Sequence, residues 1–374
     1  MMIAGEASGD VHGAKVIKEI QRIDPVYRII GIGGSRMQVA GQEPLYNIED
    51  LAVMGFWEVL KNLRRIKKIL WELIRLTHQE KPDLIILIDY PGFNLAYAKR
   101  IQSLKIPILY YISPQVWAWH ASRVRKIAEL VQKMAVIFPF EISLYEKCGL
   151  ETIFVGHPIL EDIEEYKKDN APGQAKRETD SPPVLGLVPG SRIQEINRIL
   201  PVMLNAAELL KQKIPQLRIK ISCAPTIERN RIERWLEKNE LKDTMITDEH
   251  YSLLSESTFL LVTSGTATLE AALFRTPFLV IYKTSFLTWF LGRLLIRIKQ
   301  IGLVNIVAGK PIVPELIQAN ASAQKIFETA YPYFCNMTSR QRMIEGLAGI
   351  QSKLGLSGAS RRVAAIAVAM IDQS

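Results

Sequence analysis

The chain is poor in cysteine and has no long apolar run, and each shortage closes off a class of protein. Three of its 374 residues are cysteine, Cys148, Cys223 and Cys335, far apart and without a C-x-x-C pair. That excludes a disulfide scaffold or a cysteine-ligated metal module and fits a reduced, cytosolic compartment. No uninterrupted apolar stretch reaches the roughly 18 residues of a bilayer-spanning helix, so no segment is expected to cross a membrane. The N-terminus runs directly into a glycine-rich turn, without the regions of a secretory signal. No repeat of solenoid length recurs. What is present is an ordinary globular balance, 48% hydrophobic and 23% charged, in a chain long enough for two domains with separate cores. Basic residues outnumber acidic ones 47 to 38, a net charge of +9. That excess suits an anionic partner: nucleic acid, an acidic membrane or a phosphorylated substrate.

Short apolar strands alternate with longer helical stretches. Strands are predicted at 27–32, 84–88, 108–112, 135–138 and 152–155, then at 184–188, 218–222, 259–263 and 278–281. Many are unbroken apolar runs, the mark of parallel strands covered on both faces. The reading is α/β, with two Rossmann-like doubly wound lobes facing a cleft. The lobes are assigned to residues 1–160 and 184–345. Residues 161–183 are polar and contain proline and glycine, so they are read as a linker. Residues 346–374 read as C-terminal helices that pack back on the first lobe or on a second copy. The strand before the first loop, residues 1–4, is short. Either the strand is stunted or the natural start lies upstream.

The chemistry concentrates in loops that follow strands. Val262-Thr263-Ser264-Gly265-Thr266-Ala267 reads as a strand, a small-residue turn and a helix start. Free N–H groups and a partial positive charge at a helix N-terminus suit a phosphate. Glu270 lies one turn further, where a carboxylate can accept hydrogen bonds from a ribose diol. Gly190, Ser191 and Arg192 follow the first strand of the second lobe, with Arg192 a fork-shaped cation for a diphosphate. In the first lobe, Glu6, Ser8, Gly9 and Asp10 form a loop at the cleft edge. Asp89 closes a strand and could serve as a general base; a loop-bracing role is the alternative. Trp117 stands in Ser113-Pro114-Gln115-Val116-Trp117-Ala118-Trp119, where aromatic rings could wall a sugar or an acyl chain or simply pack in the core. His157 is a weaker site, with a structural role the simpler reading.

Residues 59–76 place Leu63, Ile66, Leu70 and Leu73 at helical spacing among Arg64, Arg65, Lys67, Lys68 and Arg75, a basic amphipathic helix. Residues 286–299 form a second basic and apolar stretch. Each could pack on its own sheet; two in one basic chain favour an anionic membrane surface. No helix-turn-helix or basic aromatic platform appears, so nucleic acid is not expected as a partner.

These segments resemble lipid-A-disaccharide synthases. The resemblance is carried by Ala4–Asp10, Ile88-Asp89-Tyr90-Pro91-Gly92-Phe93-Asn94, the segment 113–119, Phe154-Val155-Gly156-His157-Pro158, Leu187–Arg192, Ser264–Glu270 and Val304-Asn305-Ile306, all in family order. It implies a GT-B glycosyltransferase that acts with inversion, with no cofactor and no bound metal, peripherally at the cytoplasmic face of the inner membrane. The implied substrates are UDP-2,3-diacylglucosamine and 2,3-diacylglucosamine 1-phosphate (lipid X), joined in a β-1,6 linkage with release of UDP. Asp89 matches the proposed catalytic carboxylate, with Asp10 a second candidate base. Gly190, Ser191, Arg192, Ser264, Gly265, Thr266 and Glu270 would hold UDP. Glu6, Ser8, Gly9, Trp117, His157 and Asn305 are assigned to the acceptor side, and Leu63, Ile66, Leu70 and Leu73 to membrane docking. A homodimer is a further expectation. The alternatives are a UDP-GlcNAc 2-epimerase-like or other GT-B enzyme on a soluble UDP-sugar, and a membrane-binding protein whose nucleotide site only regulates.

Overall fold

A computed structural model describes residues 1–51, 56–115, 123–170, 181–239, 241, 243–284 and 300–373, with residues 56–63 as backbone alone. Every strand pairing among them is parallel. The first sheet contains β1 (Met2–Ala4), β2 (Ile29–Gly33), β3 (Gln42–Asn47), β4 (Ile85–Ile88), β5 (Ile108–Tyr111), β6 (Lys133–Val136) and β7 (Glu151–Phe154), in the order β3-β2-β1-β4-β5-β6-β7. The second contains β8 (Val184–Val188), β9 (Arg218–Ser222), β10 (Met245–Thr247), β11 (Phe259–Thr263), β12 (Phe278–Tyr282) and β13 (Glu315–Ile317), in the order β10-β9-β8-β11-β12-β13. Both are doubly wound, as the unbroken apolar runs imply. Short as it is, β1 pairs along its length with β4, Ala4 lying beside Ile88, and at Met2 and Ile3 with β2.

Three strands lie beyond the sequence expectation, β3, β10 and β13, and all are sheet edges. Much of each is partly exposed, and β3 contains Pro44, so none presents an apolar run.

The chain divides into two compact units, Met1–Glu161 with Leu354–Ser374, and Asp162–Lys353. The stretch expected as a linker begins inside a helix, Ile159–Asp169. Within the second unit Tyr166 packs its ring against Tyr251 and Phe274, at centroid distances of 5.3 and 5.9 Å. Residues 171–180 of that stretch lie outside the described residues, as do Trp117 and the segment 286–299. The terminal helix Ala359–Asp372 runs along the helix Ala7–Ile23 and buries Val363, Ala364, Ala367 and Met370. The stretch Met337–Asp372 is apolar enough for a membrane span by composition. It is nevertheless broken at Gly349 and again at residues 355–358 into helices Met337–Ala348, Ile350–Leu354 and Ala359–Asp372.

The helix Phe56–Glu80 corrects the docking assignment. Leu70 and Leu73 are buried in the first unit's core with Ile69 and Ile74, and Ile66 packs against the same cluster. The Leu63 side chain lies outside the described residues. An amphipathic stripe looks the same whether it faces a sheet or a lipid, and here the sheet takes it. Each buried leucine is worth about 1.5–3 kcal/mol to the fold, so these side chains are unavailable to a membrane. The face turned to solvent carries Arg64, Lys67, Lys68, Trp71 and Arg75. Trp71 is 61% exposed, with the Arg100 guanidinium 5.7 Å from its ring centre.

Candidate active site

In an open parallel sheet, ligands bind beyond the strands' C-terminal ends, where the strand order reverses. The reversal falls between β1 and β4 in the first sheet and between β8 and β11 in the second. The loops leaving those strands start at Gly5, Asp89, Pro189 and Ser264, so the four loops singled out from the sequence all fall at the two reversals.

In the first unit, Asp89 and Tyr90 both adopt left-handed backbone, at φ 45° and 46°. Such conformations cost non-glycine residues roughly 1–3 kcal/mol and persist where the surroundings enforce them. Here the Asp89 carbonyl accepts from the Tyr110 hydroxyl at 2.6 Å and from Asn94 Nδ2 at 2.7 Å, and the Asp89 N–H donates to Tyr111 O. Tyr90 lies across Gly5, where any Cβ would fall 2.1 Å from its ring. The Asp89 carboxyl is pushed up to about 6, chiefly by burial and further by the Glu6 charge, against one hydrogen bond from the Tyr90 N–H. A carboxylate titrating there is ionised at neutral pH yet basic enough to take a proton.

Asp10 has a different role. It is buried, and Oδ1 accepts from the N–H groups of Gly34 (2.7 Å) and Met37 (3.0 Å) while Oδ2 accepts from that of Arg36 (3.1 Å). It thereby caps the helix Ser35–Val39, with both carboxylate oxygens engaged. His157 is likewise structural. Its Nδ1 accepts from the Ile159 N–H at 3.2 Å, and burial, with His12 nearby, lowers its pKa to about 3. The expected loop is shorter than read: Ser8, Gly9 and Asp10 lie in the first turn of the helix Ala7–Ile23, with Glu6 and Ser8 exposed and Gly9 buried.

In the second unit, Gly190 is left-handed at φ 107°, and a Cβ there would fall 2.3 Å from Glu195 Oε2. Glu195, which the sequence reading missed, accepts from the N–H groups of Ser191 (3.1 Å) and Arg192 (3.3 Å) and pairs with the Arg192 guanidinium at 3.4 Å. Its position three residues after Arg192, at the head of the helix Ile193–Lys213, is the capping-box spacing that could have revealed it. Arg192 itself is exposed, so this pair is weak and readily exchanged for a phosphate. Across the strand reversal, Gly265 has open space where a Cβ would sit and Thr266 is exposed. The Ser264 hydroxyl donates to Ile301 O at 3.0 Å and is thus already engaged. Glu270, in the helix Ala267–Leu273, is bonded to His250 and Tyr251, two more residues without a local sequence signal.

Asn305 braces the framework. It is buried, and its amide spans Val313 O, Glu315 Oε1 and the N–H groups of Ile312 and Val313 at 2.8–3.1 Å. Glu315 in turn accepts from the N–H groups of Ile301 and Gly302. Through Glu315, Asn305 is linked to the turn at Ile301 that receives the Ser264 hydroxyl.

Two such sheets, each with its loops at a strand reversal, define the GT-B fold class. A UDP-GlcNAc 2-epimerase from Neisseria meningitidis bound to UDP-GlcNAc superposes with a TM-score of 0.66 at 16% identity, covering 98% of this chain and 99% of the other. CalG4, the calicheamicin glycosyltransferase, gives 0.60 at 14% identity, covering 100% and 97%. Sequence narrows the class to one family. The model for Lipid-A-disaccharide synthetase matches residues 1–366. The lipid-A-disaccharide synthase of Trichlorobacter lovleyi is 42% identical over 375 residues, covering 100% of this chain and 98% of the relative. That of Nitrosococcus oceani is 41% identical over 374 residues, covering 99% and 96%. The chain belongs to the lipid-A-disaccharide synthase family.

Proposed function

We propose that the chain is an inverting glycosyltransferase. It moves 2,3-diacylglucosamine from UDP to the 6-hydroxyl of 2,3-diacylglucosamine 1-phosphate, forming the β-1,6 disaccharide 1-phosphate and UDP. Beyond family membership, the observation that carries the reading is Asp89, a strained, half-buried carboxylate with its pKa raised to about 6 at the end of β4. The acceptor oxygen attacks the anomeric carbon as its proton passes to Asp89, and the bond from that carbon to the UDP oxygen breaks. Arg192 and the donors of Gly265 and Thr266 hold the diphosphate and offset the charge on departing UDP. Glu270 takes the ribose.

The exposed face with Arg64, Lys67, Lys68, Trp71 and Arg75 holds the protein on an anionic membrane, at the cytoplasmic side of the inner membrane where acylated substrates reside. The basic side chains meet lipid phosphates and Trp71 enters the headgroup region.

The test is release of UDP from UDP-2,3-diacylglucosamine with and without the monosaccharide 1-phosphate, with mass analysis of the product. Acceptor-dependent release and a disaccharide 1-phosphate are expected. Acceptor-independent release, or epimerisation of a soluble UDP-sugar, would overturn the reading.

A further inference from the structure

Glu270 does not stand alone at the nucleotide loop. Its Oε2 lies 3.0 Å from His250 Nε2, and the opposite ring nitrogen, Nδ1, lies 3.0 Å from the hydroxyl of Ser222. Ser222 is the last residue of β9 and is buried, and His250 opens the helix His250–Glu256. Three elements therefore converge through one imidazole. A carboxylate can only accept, so the ring donates from Nε2 to Glu270, and its Nδ1 is held by the Ser222 hydroxyl.

The other oxygen is held as well. Glu270 Oε1 accepts from the Tyr251 hydroxyl at 3.4 Å. The Tyr251 ring is fixed between Tyr166 and Phe274, at centroid distances of 5.3 and 5.6 Å. Each carboxylate oxygen thus has one protein donor and retains acceptor capacity. A ribose presents two adjacent hydroxyls and needs one acceptor for each. A glutamate already ordered on both oxygens gives up less rotamer freedom when the sugar arrives.

We propose that His250 is a positioning residue for nucleotide binding. Anchored by Ser222, it holds the Glu270 carboxylate in the orientation that receives both ribose hydroxyls, with Tyr251 holding the second oxygen. The inference deepens the proposed function and rests on its assignment of Glu270 to the ribose. His250 touches no reacting atom and so bears on nucleotide affinity.

The experiment compares UDP with 2′-deoxy-UDP by calorimetry on the full chain. The variants are Glu270→Gln, His250→Ala, His250→Gln, Tyr251→Phe and the double variant His250→Ala with Glu270→Gln. The wild type should favour UDP by about tenfold or more, as expected for loss of a hydrogen bond to a charged group. Glu270→Gln should bring that ratio towards one. His250→Ala should lower UDP affinity by about 3- to 10-fold and 2′-deoxy-UDP affinity by less, since that ligand has only the 3′-hydroxyl to lose, so the ratio falls. His250→Gln, which keeps an N–H donor, should recover part of the loss. In the Glu270→Gln background His250→Ala should add nothing.

A purely structural histidine would weaken both nucleotides equally, and that result overturns the proposal. So does a wild-type ratio in His250→Ala. If His250→Ala proves too unstable to purify, Tyr251→Phe must still lower the ratio, and an unchanged ratio there refutes the two-point clamp. Full discrimination retained by Glu270→Gln refutes the ribose assignment itself. Loss of discrimination in Glu270→Gln but not in the His250 variants refutes the positioning role alone.

Discussion

Replacing Asp89 with asparagine should move activity and stability in opposite directions. The carboxyl titrates near 6 in the folded protein against 3.8 for the free group. At about 1.4 kcal/mol per unit this shift costs the ionised folded state up to about 3 kcal/mol, and allowing for the partial exposure of Asp89, about 1–3. The sign follows from proton counting. Between 3.8 and about 6 the folded chain keeps a proton that the unfolded chain has released, so stability falls as pH rises through that window. Above it the whole cost stands. Asparagine cannot ionise and tolerates the left-handed backbone at φ 45°. Asp89→Asn should therefore unfold at a higher temperature than wild type at pH 8, by roughly 2–4 °C per kcal/mol recovered in a domain of this size. At pH 4 the difference should shrink towards zero. Turnover at pH 8 should drop by about 10²- to 10⁴-fold, the usual contribution of a positioned base. In the wild type, kcat/KM should fall about tenfold per unit as pH drops below about 6. Thermal melts at the two pH values and a UDP-release assay read both arms. Undiminished turnover in Asp89→Asn would refute the base assignment. Equal melting of both proteins at pH 8 would refute the energetic account of the site.

Arg192→Ala should raise the donor KM by about 10- to 100-fold, the loss expected for charge-assisted bonds to a diphosphate, read from initial rates. Asp10→Asn should destabilise the fold by about 1–3 kcal/mol, because an amide cannot satisfy all three N–H donors, while turnover per folded molecule stays near wild type; a rate collapse with unchanged melting would restore Asp10 as a candidate base. Leu70→Ser with Leu73→Ser should unfold the protein, since leucine truncation in a core costs about 2–5 kcal/mol each. Lys67→Glu, Lys68→Glu and Trp71→Ser together should leave the melt intact and abolish sedimentation with anionic vesicles; retained sedimentation would remove this face from the docking proposal.

Much of the fold was legible because a parallel strand covered on both faces must be apolar throughout. Ile85–Ile88 and Phe259–Thr263 announce themselves that way, whereas Gln42–Asn47, at a half-exposed edge, has no such pattern to show. The four loops were legible for the same reason, since each follows a strand that could be read. What could not be read was how much bonding capacity each side chain has left. Asp10 and Asp89 are the same residue type, Asp10 in the helix that follows β1 and Asp89 directly after the neighbouring β4. The three N–H groups that occupy Asp10 come from residues 34–37, and no local pattern reports them. Asn305 carries all its amide bonds within the framework, eight to ten residues away or nearer. Glu270 is half-committed, one donor on each oxygen. The amphipathic helix poses the same problem in apolar form, because Leu70 and Leu73 can satisfy a sheet or a lipid but not both. Residue type therefore sets what a position can do, and partners brought in by the fold decide whether that capacity remains for a ligand. On that measure Asp89, whose backbone is braced by Tyr110 and Asn94 while its carboxylate takes one backbone bond, is a partly buried group in the first unit's strand-reversal loops that keeps chemistry to spare.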